Sequence, residues 1–285
     1  MNQSIARRQQ RRRGVPSVGV ILLGFVVLAS FVGPLLYTTS STELIGSPLT
    51  GPTIDHPLGT DAFGRDVLAR TLAGGRIDLA VALFAVSIPF VAGTLIGIAS
   101  GLRANTLVDR VLMRLVDAML AFPFPILILA LAVVFADVGQ VWFLSGGVTA
   151  MLLAFFATSW TVYARIARAE TISLSNSDFI VAARVSGLST WTIQRRHVLP
   201  NVLPATFTYA ISDSILVLGV VAALPFLGAG VQPPAAEWGS ILYEGRGVMI
   251  TAPWIVAGPA VAMALTGVAI RLIGRNSRWI EGQQS

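Results

Sequence analysis

The chain has 285 residues, of which 54% are hydrophobic and only 12% are charged. A soluble globular protein carries about twice that charged fraction, so the composition excludes a soluble domain and indicates a polytopic membrane protein. The net charge of +6 comes from arginines placed mostly beside apolar runs, which is typical of membrane topology rather than of nucleic-acid binding. The absence of cysteine excludes disulfides and thiol chemistry, and the two widely separated histidines predict no metal site.

Six apolar runs are each long enough to cross a bilayer, which takes about 20 residues. They predict an all-α membrane domain of six transmembrane helices over residues 18–274, between a basic tail at 1–17 and a second tail at 275–285. A secretory signal peptide would have a shorter apolar core and a clear cleavage site, so we expect the first run to be a retained helix. The predicted spans cover residues 18–37, 79–100, 111–136, 142–163, 204–227 and 252–273.

The segments between these spans alternate in basicity. Four of the twenty arginines lie in one set of connections. The other sixteen lie in the alternate connections and in the two tails, counted together. By the positive-inside rule, both termini and the segment 166–203 are therefore predicted to be cytoplasmic. The four outward arginines are Arg65, Arg70, Arg76 and Arg246.

Two long connections, 38–78 and 228–251, are then predicted to be extracytoplasmic loops. Loops of this length are more often functional than idle. In the second loop, Trp238 and Tyr243 suit a membrane–water interface.

Residues 178–201, DFIVAARVSGLSTWTIQRRHVLPN, are a polar, arginine-bearing insert in the cytoplasmic segment. We call them the coupling segment. Asp178 is predicted to cap a first short helix, and Gly187 to supply the turn after it. Ser189 or its neighbour is predicted to cap a second helix that ends before Pro200. The residues alone leave two alternatives open, a docking site for a partner protein and an amphipathic hairpin that lies on lipid headgroups.

Part of this segment, AARVSGLSTWTIQRRHVLPN, resembles the EAA loop of bacterial ABC importer permeases. That pattern is roughly E-A-A, three residues, G, nine residues and I-x-L-P. Val181 stands at the Glu position, which is a departure from the pattern. Ala182, Ala183 and Gly187 follow it, and Val198, Leu199 and Pro200 close the pattern.

Two further segments are similar to the C-type permease subunit of dipeptide, oligopeptide and nickel importers. HPLGTDAFGRDVLARTLAGGR at 56–76 resembles its outward segment, and FLGAGVQPPAAEWGSILYEGR at 226–246 resembles its loop before the last helix. The resemblance covers residues from about 56 to 260. The C-terminal GRNSRWIEGQQS departs from the tail usual in the family, so the role of this tail is left open.

The resemblance implies a type I ABC importer permease fold and a set of partners. These are a homologous B-type permease that forms a heterodimer, two ATPase subunits on the cytoplasmic side, and an extracytoplasmic substrate-binding protein, all in or at a bacterial cytoplasmic membrane. The coupling segment would include a coupling helix seated in an ATPase cleft, which transmits ATP-driven closure to the membrane helices. The residues implied in this contact are Ala182, Ala183, Arg184, Gly187, Leu188, Arg195 and Pro200.

Catalytic motifs are absent from the sequence. It contains no G-x-x-x-x-G-K-[ST] phosphate loop and no lysine. We therefore expect a non-catalytic subunit without a cofactor of its own, with ATP and Mg bound by the partner ATPases.

Within the spans, Asp213 is the polar residue of greatest interest, since a charge at membrane depth costs a few kcal/mol and should face the bundle interior. Two roles are open for Asp213 and the flanking Ser212 and Ser214: lining the substrate path, or a hydrogen bond between helices. Asp117 is expected to pair with Arg114 near the cytoplasmic face.

The substrate class follows only from the resemblance, which implies dipeptides or oligopeptides. Nickel complexes and glutathione are the alternatives. A proton-coupled secondary transporter would need no ATPase, and it would usually show repeats and an intramembrane carboxylate relay. A membrane scaffold would explain the coupling segment but not the two long outward loops.

Overall fold

The structure, a computed structural model, describes residues 15–141, 145–231 and 234–281. Nearly all regular structure in this part is helical. The helices are α1 (Val15–Phe31), α2 (Gly33–Leu36), α3 (Val67–Leu102), α4 (Leu107–Leu120), α5 (Phe124–Val134), α6 (Gly146–Thr158), α7 (Trp160–Ser175), α8 (Asp178–Val185), α9 (Thr190–Ile193), α10 (Leu199–Ala223), α11 (Trp238–Gly245) and α12 (Trp254–Glu281). Two short 3₁₀ segments, Ala136–Val138 and Leu224–Leu227, and a π-helical turn, Gln194–Val198, are added to these.

Five helical stretches of the described chain are long and apolar enough to cross a bilayer, and the bent pair α4–α5 is a sixth candidate. By length and composition of the helices, the prediction of an all-α protein with six spans is confirmed. The start of the predicted span 142–163 and most of the basic tail 1–17 lie outside the described residues. The five stretches are Val18–Leu36, Val67–Leu102, Gly146–Ser175, Thr190–Leu227 and Trp254–Arg275.

The third predicted span is wrong as one continuous helix. Helices α4 and α5 are bent by 95° at the short break between them. Pro123 is the N-cap of α5 with φ −58° and ψ 119°, and its ring removes the N–H that a continuing helix needs. Proline also disfavours the helical conformation of the residue before it, so the chain turns at this point.

The first outward loop contains helix that the sequence did not predict. Helix α3 begins at Val67 rather than at residue 79. Asp66 accepts the backbone N–H of Ala69 through its Oδ1 at 2.8 Å, and so satisfies one of the free donors at the helix start.

The second outward loop also contains a helix, α11, preceded by a capping carboxylate. Glu237 accepts the N–H groups of Gly239 and Ser240 at 2.7 and 2.8 Å. Burial raises the pKa of Glu237, and these two donors act against that rise. Trp238 is fully buried within the protein, and its Nε1–H donates to the carbonyl of Thr71 at 2.8 Å, while its position at the membrane–water interface stays a prediction.

The chain forms two compact units. The first comprises the described residues of 1–82, 139–148 and 214–285, and the second comprises residues 83–138 and 149–213. The core of the first unit includes Val26, Leu218 and Trp238. The coupling segment belongs to the second unit.

Candidate functional site

The coupling segment has the two-helix form that its sequence predicts, with changes at both ends. Ser177 rather than Asp178 is the N-cap of α8, and Asp178 lies in the first turn, where a carboxylate favours the helix dipole. Ser189 caps α9 by accepting the N–H of Thr192 at 3.2 Å. The prediction of a cap at Asp178 is therefore wrong by one residue.

Gly187 forms the turn between α8 and α9. Its φ is +76°, in the left-handed region that glycine adopts without a steric penalty. The Gly187 N–H donates to the carbonyl of Arg184 at 3.0 Å, and the Leu188 N–H donates to that of Ala183 at 3.2 Å. These bonds satisfy carbonyls left free at the end of α8.

The second helix of the segment does not end before Pro200. The chain stays helical from Thr190 to Leu227, and it passes into α10 through the π-helical turn. The Leu199 N–H donates to the carbonyl of Gln194, five residues back. A widened turn of this kind gives a helix room for a proline, which otherwise clashes with the carbonyl four residues before it.

One side of the coupling segment is built into the second unit's core. Ile180 and Ala183 of α8 pack with Ile193 and Val198, and this group contacts Ile98 of α3, Ala167 of α7 and Val202 of α10. The inner face of α8 is therefore attached to three helices that belong to membrane spans.

The other side of the segment is exposed and partly apolar. Val185 is 83% exposed and Trp191 is 66% exposed. Ala182 is exposed whereas Ala183 is buried, so the two alanines do not form one small-residue face. The other residues predicted for the ATPase contact are exposed: Arg184, Gly187, Leu188, Arg195 and Pro200.

Helices α3 and α7 of the second unit approach each other along three glycines. A Cβ at Gly93 or Gly97 would lie 2.3 Å from the carbonyl oxygen of Trp160 or Ala164, and one at Gly101 would lie 2.7 Å from Thr171. Such small residues at every fourth position allow helix backbones to touch in a membrane. We call this contact the glycine seam.

An ion pair fastens the same helices next to the coupling segment. Arg168 of α7 donates to both oxygens of Asp109, at 2.6 and 2.8 Å, and Asp109 is almost fully buried. The Ser100 hydroxyl and the Asn105 N–H also donate to this carboxylate, at 2.5 and 2.8 Å. One carboxylate thus connects α3, α4 and α7.

Removing the arginine of this pair is expected to destabilise the protein strongly. Arg168→Leu leaves the Asp109 carboxylate without its counter-charge and with only its two neutral donors, which costs about 1–3 kcal/mol. Arg165→Leu, on the same helix, is the control because its pair with Asp117 is half exposed and contributes about 1 kcal/mol or less. Thermal unfolding of the purified complex should separate the two variants, and equal stability would contradict a structural role for Arg168.

Asp117 does not pair with Arg114 as expected. It accepts a hydrogen bond from Arg165, which lies on α7 rather than on its own helix. The prediction from sequence chose the neighbour along the chain, and the structure brings a more distant arginine to the same place.

Asp213 is buried in the second unit and takes part in a hydrogen bond between helices. The Tyr163 hydroxyl donates to its Oδ2 at 2.7 Å, and Tyr209 interacts with the same carboxylate. Ser212 is exposed and Ser214 is half buried. This geometry matches the interhelical alternative, while a role of Asp213, Ser212 and Ser214 in a substrate path stays a prediction.

The first unit contains a buried ion cluster that the sequence reasoning missed. Arg65 donates to Asp61 at 2.6 Å and to Glu244 of α11 at 2.5 Å, and Arg70 donates to Glu244 at 3.0 Å. Arg70 is fully buried. The cluster joins the first outward loop to α11, and no local sequence pattern indicated it, because Glu244 lies 179 residues after Arg65.

A family model described as "Binding-protein-dependent transport system inner membrane component" matches residues 93–277 of the chain. This is more than half of its length. The chain belongs to this family. The match includes the glycine seam, the Asp109–Arg168 pair and the whole coupling segment, and it makes the protein a membrane-embedded permease of an ABC transport system.

Named relatives of this permease match nearly its full length. The dipeptide transport system permease protein DppC of Alkalihalophilus pseudofirmus is 32% identical, over 96% of this chain and 87% of the relative. The oligopeptide transport system permease protein OppC of Haemophilus influenzae is 33% identical, over 96% and 86%. The glutathione transport system permease protein GsiD of Pectobacterium atrosepticum is 34% identical, over 95% and 87%.

A solved structure supports the type I permease fold. A chain of the MetNI methionine ABC transporter, in an inward-facing conformation, aligns with a TM-score of 0.61 and 20% identity. The alignment covers 74% of this permease and 96% of that chain. At this identity, the likeness describes the fold alone.

Proposed function

We propose that this permease is the C-type subunit of an ATP-driven importer of dipeptides or oligopeptides. The observation that carries the proposal is the match to dipeptide and oligopeptide permeases over 96% of the chain. Coverage of nearly the whole chain makes a shared substrate class the simplest inference.

The coupling segment supports the proposed energy transfer from partner ATPases. Its exposed side, with Val185 and Trp191, offers apolar contact area to a cytoplasmic partner. Its buried side holds α3, α7 and α10 through Ile180 and Ala183. A short helix fixed in this way moves as a rigid body, so a displacement imposed on α8 is carried into the membrane helices.

The partners and cofactors in this proposal follow the same scheme. The permease forms a heterodimer with a B-type permease, two ATPases bind the cytoplasmic side, and a binding protein delivers the substrate from outside. Both termini are cytoplasmic in a bacterial plasma membrane. The permease itself is non-catalytic, since ATP and Mg bind in the ATPases.

A glutathione importer is the second candidate, since a glutathione permease is among the relatives of similar identity. The GsiD relative is 34% identical, between the 32% of DppC and the 36% of a putative peptide permease of Brucella suis. Glutathione is itself a tripeptide, but its glutamate is joined through the side-chain carboxyl, so competition by peptides with ordinary α-linkages distinguishes the two candidates.

Uptake by the reconstituted complex tests the proposal. We expect import of labelled dipeptides into proteoliposomes to require ATP on the side of the membrane where the ATPases lie. Vanadate should stop this import. Excess unlabelled tripeptide should compete, whereas excess glutathione should not. Uptake that continues without ATP under a proton gradient would contradict the ATP-driven mechanism, and competition by glutathione alone would favour the second candidate.

A further inference from the structure

The first unit contains an apolar cavity of about 360 Å³, open on one side, between α1, α3 and α12. Trp238 and Leu58 close it from the side of the outward loops, and Leu72 of α3 and Ala262 of α12 are among its walls. Its volume lies within the range of small-molecule sites. All three helices belong to candidate membrane spans.

The polar groups around this cavity are already engaged elsewhere. The Thr71 hydroxyl donates to the carbonyl of Val67 at 2.7 Å. The indole Nε1–H of Trp238 donates to the carbonyl of Thr71 at 2.8 Å. The Ser30 hydroxyl lies against Gly75, where an added Cβ would be 2.1 Å away. Buried water needs two to four polar partners, so the residues lining this cavity favour an apolar occupant.

The rim of the cavity is exposed on the outside of the described chain. Phe25 of α1 is 62% exposed and Val261 of α12 is 57% exposed, and both line the cavity. The hydrocarbon that surrounds a membrane-spanning helix consists of lipid acyl chains. An acyl chain is the apolar group that the bilayer itself supplies at this rim.

A cation lies beside the cavity at the outward end of α1. Arg76 donates to the carbonyl of Ser30 at 3.0 Å and to that of Phe31 at 2.9 Å, and Ser30 lines the cavity. A guanidinium has five N–H donors, so these two bonds leave it able to bind an anion. The two carbonyls that Arg76 contacts belong to the last two residues of α1, so the guanidinium lies at the end of this helix that leads into the 38–78 loop.

We infer that this cavity binds one acyl chain of a phospholipid, with the lipid phosphate held by Arg76. The lipid belongs to the leaflet on the side of the 38–78 loop. The two parts of the site match the two parts of the ligand: an apolar cavity for the hydrocarbon, and a guanidinium for the phosphate. Such a lipid would fill the space between α1 and α12 on this side of the bilayer.

Photolabelling of the assembled transporter tests this site. The complex is reconstituted in vesicles that contain phosphatidylglycerol with a diazirine in its acyl chain, and adducts are mapped by peptide mass spectrometry. We expect adducts on the parts of α1 and α12 that line the cavity. Ala262→Phe fills the interior and Ala257→Phe fills the exposed rim, and each should reduce this labelling at least about tenfold, because each displaces several methylene groups.

Two controls make the result decisive. Ala260→Phe is an exposed change on the same helix that does not line the cavity, and it should label as the unmodified protein does. Arg76→Gln should lower labelling, while its temperature of thermal unfolding stays within the range of the alanine-to-phenylalanine variants. Unchanged labelling in Ala257→Phe overturns the inference. Crosslinks from a single cysteine, Ala262→Cys, to the partner permease would also overturn it, by showing that protein fills the cavity.

Discussion

Replacing Gly97 with leucine is expected to prevent the second unit from folding. The first side-chain atom at this position would lie 2.3 Å from the carbonyl oxygen of Ala164 and 2.7 Å from Ala167. A backbone oxygen cannot move aside as the end of a flexible side chain can, so α3 and α7 would have to separate along the glycine seam. Forced overpacking costs about 3 kcal/mol, and separation adds the loss of the contacts around Asp109. The yield of monodisperse protein and its thermal unfolding measure this effect.

Gly219→Leu is the matched control for this substitution. Gly219 lies in another membrane helix, α10, and an added Cβ would meet no atom of the described chain within 4 Å. We expect this variant to retain normal yield and unfolding temperature. If Gly97→Leu unfolds at the same temperature as Gly219→Leu, the glycine seam does not hold α3 against α7.

Replacing Gly187 with valine is expected to disconnect ATP hydrolysis from transport while the permease still folds. An added Cβ at Gly187 would meet nothing within 4 Å, so packing does not oppose the change. The strain is in the backbone, because φ is +76° and a left-handed conformation costs about 1–2 kcal/mol for an ordinary residue and more for a β-branched one. That cost shifts the turn away from its native form by about 5–30-fold. Substrate-stimulated ATPase activity of the reconstituted complex is the measurement.

Gly187→Asn separates backbone strain from the loss of glycine itself. Asparagine adopts the left-handed conformation more readily than other residues, so this variant should retain most of the stimulation. Full coupling in Gly187→Val would contradict a fixed turn between α8 and α9. Loss of coupling in both variants would indicate that the ATPase contacts the glycine backbone closely.

The local turns of the coupling segment could be predicted from sequence because they depend on single residues. Gly187 and Ser189 act within a few residues of their own position, and the structure places the turn and the cap there. The orientation of α8 could not be predicted in this way. Whether Ala182 or Ala183 faces the core depends on Ile98 and on other side chains far away in the sequence.

Prolines and glycines within the membrane segments predicted helix breaks and helix packing less clearly than Gly187 and Ser189 predicted the local turns. Pro123 lies at a sharp break in a membrane segment, whereas Pro200 lies inside a continuing helix, just after the π-helical turn. The four-residue spacing of Gly93, Gly97 and Gly101 is visible in the sequence and is typical of close helix packing. Which helix packs against these glycines, however, could be learned only from the structure.

The exposed apolar side of the coupling segment also bears on how the cell controls the number of subunits. A permease made in excess of its ATPase would present Val185 and Trp191 to the cytoplasm, where apolar surface promotes aggregation and recognition by proteases and chaperones. Binding of the ATPase would cover these side chains and stabilise the permease by mass action. On the proposed function, the surface that binds the ATPase would therefore also mark an unassembled copy for removal, and the permease should be shorter-lived in cells that lack its ATPase.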